Sequence, residues 1–130
     1  MKTDDLYLLA DEDGIDVVEM PLERKALSVY MNGSCAVAID TDGMTDAEEK
    51  TALAHELGHC ETLSFYNVDD TAEIKRRCEL RADRWAMEKL IPMEDLLDAF
   101  RRGIHEPWEL AEEFNVTEEL VRKTLTRYMR

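Results

Sequence analysis

His55-Glu56-Leu57-Gly58-His59 is the stretch from which the rest of the chain can be read. Two histidines four apart on a helix turn through about 400°, so their rings leave from nearly one face. A glutamate follows the first directly. This is the H-E-x-x-H arrangement: two imidazole ligands for Zn²⁺, with a carboxylate beside the metal able to take a proton from water. With 3 His in 130 residues, composition alone would give the pattern in about one such chain in a hundred. A lone histidine is ordinarily a surface or satisfied core residue, whereas this pair flanking a Glu points to metal.

The local signals place the motif on a helix. Thr45 with Glu48 makes a capping box, and the helix it opens is expected to reach about Leu63. Leu53, Leu57 and Cys60 form its core stripe, with His55 and His59 on the adjacent strip. Gly58 costs about 1 kcal/mol relative to Ala inside a helix, so it answers a packing need, such as close approach of a strand. Upstream, residues 3–12 suit a short helix ended by Gly14, and Ile15 to Leu22 reads as a strand running into Pro21. Leu27 to Met31 and Cys35 to Ile39 flank Asn32-Gly33, the strongest short hairpin signal. Downstream, residues 64–70 form a polar loop, and Asp70 with Glu73 opens a second long helix to about Leu90. Pro92 suits the first turn of a helix through Phe100, and Pro107 that of a two-turn helix with Leu110, Ala111 and Phe114 inward. Asn115 is expected as a left-handed cap and Thr117 as the cap of a last helix, with Val121, Leu125 and Tyr128 inward.

The fold class expected is α+β: a roughly three-stranded, partly antiparallel sheet packed on five to six helices, with a helix-turn-helix-like C-terminal tail. At this length one domain spans residues 1–130. It divides into an N-terminal helix and sheet (1–44), a zinc-binding helical core (45–103) and the tail (104–130).

Hydrophobic residues at 45% and charged residues at 35% describe a soluble globular chain. No apolar run approaches the roughly 18 residues of a membrane span. The start lacks the basic-then-apolar pattern of a secretory signal, so a cytoplasmic location is expected. Cys35, Cys60 and Cys78 are too few for a disulfide scaffold and fit a reducing compartment, and Cys60 and Cys78 are expected as buried free thiols. A net charge of −14 argues against general nucleic-acid affinity. The basic run from Lys75 to Lys89 reads better as a solvated helix face than as a binding patch.

A catalytic zinc needs a third protein ligand and an open fourth position. Glu79, mid-helix on the second long helix, is the best candidate, ahead of Asp83, Asp69 or Asp70. The bland alternative is a solvent-facing Glu79 paired with Lys75 or Arg76. Asp83, four residues on, projects from the same face and is placed to accept the other ring N–H of a ligand histidine, although an ordinary helical ion pair competes for it. A closed His₂Cys₂ site with Cys60 and Cys78 is disfavoured by their spacing. In the chemistry that follows, zinc acidifies water, Glu56 acts as general base, and a peptide carbonyl is attacked. Tyr66 and His105 are oxyanion candidates by residue type alone, with ordinary structural duty the stronger reading of each.

These residues resemble the gluzincin pattern, H-E-x-x-H followed by E-x-x-x-D, here Glu79-x-x-x-Asp83. A closer resemblance is to the ImmA/IrrE family of small metallo-endopeptidases, which carry H-E-L-G-H and then E-x-E-A-N-x-F-A before a Leu-Leu-Met-Pro-like ending. This chain has Glu79-Leu80-Arg81-Ala82-Asp83-Arg84-Trp85-Ala86, then Leu90-Ile91-Pro92, and its segment Glu109 to Thr117 is similar to the family's next one. The resemblance spans about residues 45–125. Arg81, Asp83 and Trp85 depart from the family's Glu, Asn and Phe; the first removes one possible ligand and the second is more gluzincin-like. The resemblance implies a small zincin-like domain, one Zn²⁺ per chain, and cleavage of a helix-turn-helix transcriptional repressor of a phage, integrative element or stress regulon. The alternatives are a non-catalytic zincin-like regulator, or DNA binding by the tail through Arg122, Lys123 and Arg127, against which stand Glu118, Glu119 and the overall charge.

Overall fold

The computed structural model of the chain describes residues 1–129. Its elements run α1 (Thr3–Glu12), β1 (Asp16–Glu19), β2 (Ala26–Met31), β3 (Ser34–Ile39), α2 (Asp46–Thr62), α3 (Ala72–Leu90), α4 (Met93–Arg101), α5 (Pro107–Phe114) and α6 (Glu118–Tyr128). The fold is α+β, as the sequence pattern predicts: a three-stranded mixed sheet with six helices, the last two forming the C-terminal tail.

The sheet order is β1-β3-β2. β2 and β3 form the antiparallel hairpin, and its two turn residues, Asn32 (φ 54°) and Gly33 (φ 79°), both lie in the left-handed region that a tight hairpin turn requires. β1 then pairs in parallel with the other side of β3, Asp16 opposite Ala36 and Glu19 opposite Ile39. β3 is thus the central strand, and Val37 and Ile39 are buried in the core beneath it. β2 is left as an edge.

Helix α2 lies under the sheet and against α3. Thr45 caps it, accepting from Glu48 N while Glu48 returns a bond to Thr45 N. Leu53, Ala54 and Leu57 are fully buried, so the expected core stripe holds. The reason for Gly58 is a helix, not a strand: a Cβ there would sit 2.5 Å from the Ala82 carbonyl oxygen on α3. Helix α3 begins one residue later than the pattern suggests. Thr71, not Asp70, is its cap, accepting from Ile74 N at 3.2 Å, while Asp70 is taken up in the preceding turn by Asn67 N at 2.6 Å.

The tail is fastened to the core. The Lys50 ammonium, 3% exposed, donates to the Phe114 carbonyl at 2.7 Å, where α5 ends in the left-handed cap Asn115. Asn115 Nδ2 reaches Asp46 at 2.6 Å, Thr117 N reaches Thr51 Oγ1 at 3.1 Å, and Tyr128 OH reaches the Ile91 carbonyl at 3.3 Å. Leu110, Leu120 and Val121 complete the same core.

The cysteine expectation is overturned. Cys35 of β3 and Cys60 of α2 form a disulfide, their Cα atoms 5.8 Å apart, because β3 lies directly on α2. Cys78 alone is free, and it is buried. The cysteines therefore lend no support to a reducing compartment. Among the described residues, no helix is long and apolar enough to cross a membrane.

Candidate metal centre

One turn of α2 and one of α3 build the site. His55 and His59 leave one face of α2, with ring centroids 4.9 Å apart and ring planes 83° from parallel. Glu79 comes up from α3 between them. Its Oε2 lies 2.8 Å from His55 Nε2, and its Oε1 lies 3.3 Å from His59 Nε2. One ligand atom from each of the three lies within 4.8 Å of the others, a spacing that one metal ion can bridge. The contact between α2 and α3 at Gly58 makes this possible, since Ala82 stands between Glu79 and Asp83 in sequence.

Both rings are held from behind. Asp83 Oδ1 lies 2.8 Å from His55 Nδ1, and the Ser64 carbonyl oxygen lies 2.6 Å from His59 Nδ1. An acceptor at each Nδ1 places a proton there and turns Nε2 toward Glu79, the tautomer a metal ligand needs. The Ser64 carbonyl reaches its place because Leu63 ends α2 in the left-handed conformation (φ 50°) and folds the chain back over the last turn.

Without a metal the cluster shares protons. Burial pulls His55 down, but its hydrogen bonds to Asp83 and Glu79 outweigh this and push it up to about 10. His59 is likewise opposed by burial and raised on balance by Glu79 and the Ser64 carbonyl. His55 and then His59 hold the Glu79 carboxyl far below the usual carboxylate range, with burial opposing and Tyr66 assisting. Asp83 is raised by burial and lowered more by His55 and Lys123, so it too ends below its ordinary value.

Glu56, 8% exposed, faces the cleft. Two cavities flank the centre, and His55, Glu56 and Arg24 line both. One, about 130 Å³, adds His59, Phe65, Tyr66, Glu79 and β2 residues Leu27 and Ser28. The other, about 330 Å³, lies toward α6 and adds Asp83, Thr117 and Lys123. A further cavity, about 760 Å³, lies between α3 and α6 on the far side of Asp83 and Lys123, which line it too.

The structure thus brings together His55, Glu56, His59, Glu79 and Asp83. It also brings in Tyr66, whose hydroxyl donates to Glu79 Oε1 at 2.7 Å and is pushed up to about 12 by that bond and by burial. His105 is not part of the group: its side chain is 66% exposed, and its near neighbour is Glu106. Cys78 points away, its thiol toward the Phe65 carbonyl at 3.6 Å, and Arg76 pairs with Glu73 rather than Glu79. Three contributors are absent from the sequence reading. The Ser64 carbonyl is backbone and leaves no side-chain signal. Arg24 sits in the loop between β1 and β2. Lys123 meets Asp83 across 40 residues, at 3.3 Å.

The donor set fits a metal ion of borderline softness. Two imidazoles, which would give up a proton to ligate, and one carboxylate would hold such an ion beside the cleft. Neither a curated protein nor a solved structure significantly matches the chain. A family model, Peptidase_M78, described as the IrrE N-terminal-like domain, matches residues 10–126 and so takes in the sheet, both long helices and most of the tail. The chain belongs to this IrrE N-terminal-like family of metallopeptidases.

Proposed function

We propose that the protein is a zinc-dependent endopeptidase, with His55, His59 and Glu79 as the metal's ligands and Glu56 as general base. The observation that carries this is the convergence of His55 Nε2, His59 Nε2 and the Glu79 carboxylate beside a cleft that Glu56 lines. A structural zinc site would be closed by a fourth protein ligand, and none of the cysteines stands there. When bound, Zn²⁺ would acidify water and polarise the scissile carbonyl.

The residues divide the remaining work. Glu56 takes the proton of the attacking water and returns it to the leaving amine, as a carboxylate on α2 beside the histidines is placed to do. Asp83 and the Ser64 carbonyl hold the two imidazoles at Nδ1. The Tyr66 hydroxyl, which donates to Glu79 and lines the smaller cavity, would be a donor available to the negative charge that develops on the substrate oxygen. The β2 edge, which borders that cavity through Leu27 and Ser28, offers its backbone groups to an extended peptide as an added strand.

The substrate we infer, on the strength of the family resemblance, is a helix-turn-helix transcriptional repressor, and a cytoplasmic location is proposed with it. Incubating the protein with the repressor encoded beside its gene, and reading products by mass spectrometry, tests it. A single defined cut that needs zinc supports the reading. An intact but stably bound repressor would favour the non-catalytic regulator. DNA binding by the tail is poorly supported, since Arg122 is paired with Glu118 at 2.6 Å and Lys123 with Asp83.

A further inference from the structure

We propose that Lys123 is a positioning residue of the metal centre, so that α6 belongs to the catalytic unit; this rests on the zinc reading above. Asp83 divides its oxygens. Oδ1 lies 2.8 Å from His55 Nδ1 and Oδ2 lies 3.3 Å from Lys123 Nζ. A carboxylate held at one oxygen can still swing about its side-chain bonds. Held at both, its plane is fixed, and with it the imidazole that leans on it.

The lysine has a simpler partner available. Glu119, one turn back on the same helix, lies 3.6 Å away with its side chain 79% exposed, the ordinary surface pair for such a residue. Lys123, its own side chain 45% exposed, pairs with both, and the nearer is Asp83, whose side chain is only 13% exposed. It is delivered by a helix fixed at both ends: Thr117 N is bonded to Thr51 Oγ1, and Tyr128 OH to the Ile91 carbonyl. Val121 and Thr124, on either side of Lys123 in sequence, are buried at 1% and 0% exposure. Lys123 also walls the 330 Å³ cavity that holds His55 and Glu56.

Charge and position predict opposite outcomes when this lysine is removed. Loss of a nearby positive charge favours binding of a dication. Loss of an anchor on the carboxylate behind a ligand histidine weakens it, by up to the roughly 10- to 100-fold that losing such a carboxylate itself costs. The test is zinc affinity of the full-length chain by competition with a chromophoric chelator, for wild type, Lys123→Met and Lys123→Arg. The metal-free proteins are melted alongside, and Co²⁺ absorption is recorded as a report on ligand geometry. Lys123→Met is expected to bind zinc about tenfold more weakly or worse and to alter the Co²⁺ spectrum, with Lys123→Arg close to wild type. Zinc affinity equal to or above wild type in Lys123→Met overturns the proposal. If that variant's metal-free melting point collapses, Lys123→Gln is read by the same criteria. A wild-type protein that binds no zinc defeats the underlying reading itself, a result distinct from wild-type binding that ignores Lys123.

Discussion

Gly58 of α2 lies so close to Ala82 of α3 that a methyl group on it would stand 2.5 Å from the Ala82 carbonyl oxygen. The glycine follows Leu57 and precedes His59; the alanine precedes Asp83 and follows Glu79 by three. The tight contact of the two helices therefore falls where His55 and His59 meet Glu79 and Asp83. Gly58→Ala is expected to push α3 outward. Overpacking costs about 1–3 kcal/mol, and the gain in helix propensity returns about 1 kcal/mol, so a net destabilisation of about 1 kcal/mol is expected in denaturant unfolding. Zinc affinity should fall with it. A variant more stable than wild type, with unchanged zinc affinity, would show that the gap is not tight.

Zinc binding near neutral pH should release protons. With His55 pushed up to about 10 and His59 also raised, the metal-free site holds protons at pH 7 on nitrogens that a metal must occupy. Calorimetric titration in buffers of different ionisation enthalpy should give about one to two protons released per zinc. A value near zero would mean that the histidines are already neutral in the metal-free protein.

The same shifts set a pH window for the metal-free fold. His55 has a folded pKa of about 10, above an unfolded value of about 6.5. Its contribution is fully present below the unfolded value and is lost as pH rises toward the folded one. Glu79 and Asp83 are shifted down, so their contribution is present above the unfolded carboxylate range and is lost as pH falls through their folded values. Urea midpoints of chelator-treated protein should therefore decline between pH 6.5 and 10. A flat or rising series over that interval contradicts the hydrogen bonding described for His55.

The Cys35–Cys60 disulfide closes a loop across a sequence separation of 25, from the central strand to the last turn of α2 beside His59. A loop of that size constrains the unfolded chain by about 3.5 kcal/mol. Reduction, or Cys35→Ser, should lower unfolding free energy by about that amount, measured with and without dithiothreitol. A protein indifferent to reductant would show the bridge to be absent in solution.

Much of this architecture is legible in the sequence because it is written in local signals. Thr45 with Glu48, Asn32-Gly33, Pro107 with Asn115, and Thr117 each fix an element end by chemistry confined to a few residues. The grouping of His55, His59, Glu79 and Asp83 is legible for the same reason, since two helical spacings put each pair on one face. What escapes is non-local. Whether Cys35 meets Cys60, and whether Lys123 meets Asp83, depends on which strand lies on which helix and on where the tail docks. Gly58 signals a close approach without naming its partner. Asp70 and Thr71 are both good caps, and the preceding turn's claim on Asp70 decides between them.

The most direct measurement is zinc content and repressor cleavage, side by side, for wild type and Glu56→Gln. About one zinc per chain is expected in both proteins, with cleavage by the variant reduced by about 10²- to 10⁴-fold, the loss expected when a general base is removed. Wild-type cleavage by Glu56→Gln, or purified wild-type protein that takes up no zinc, would contradict it.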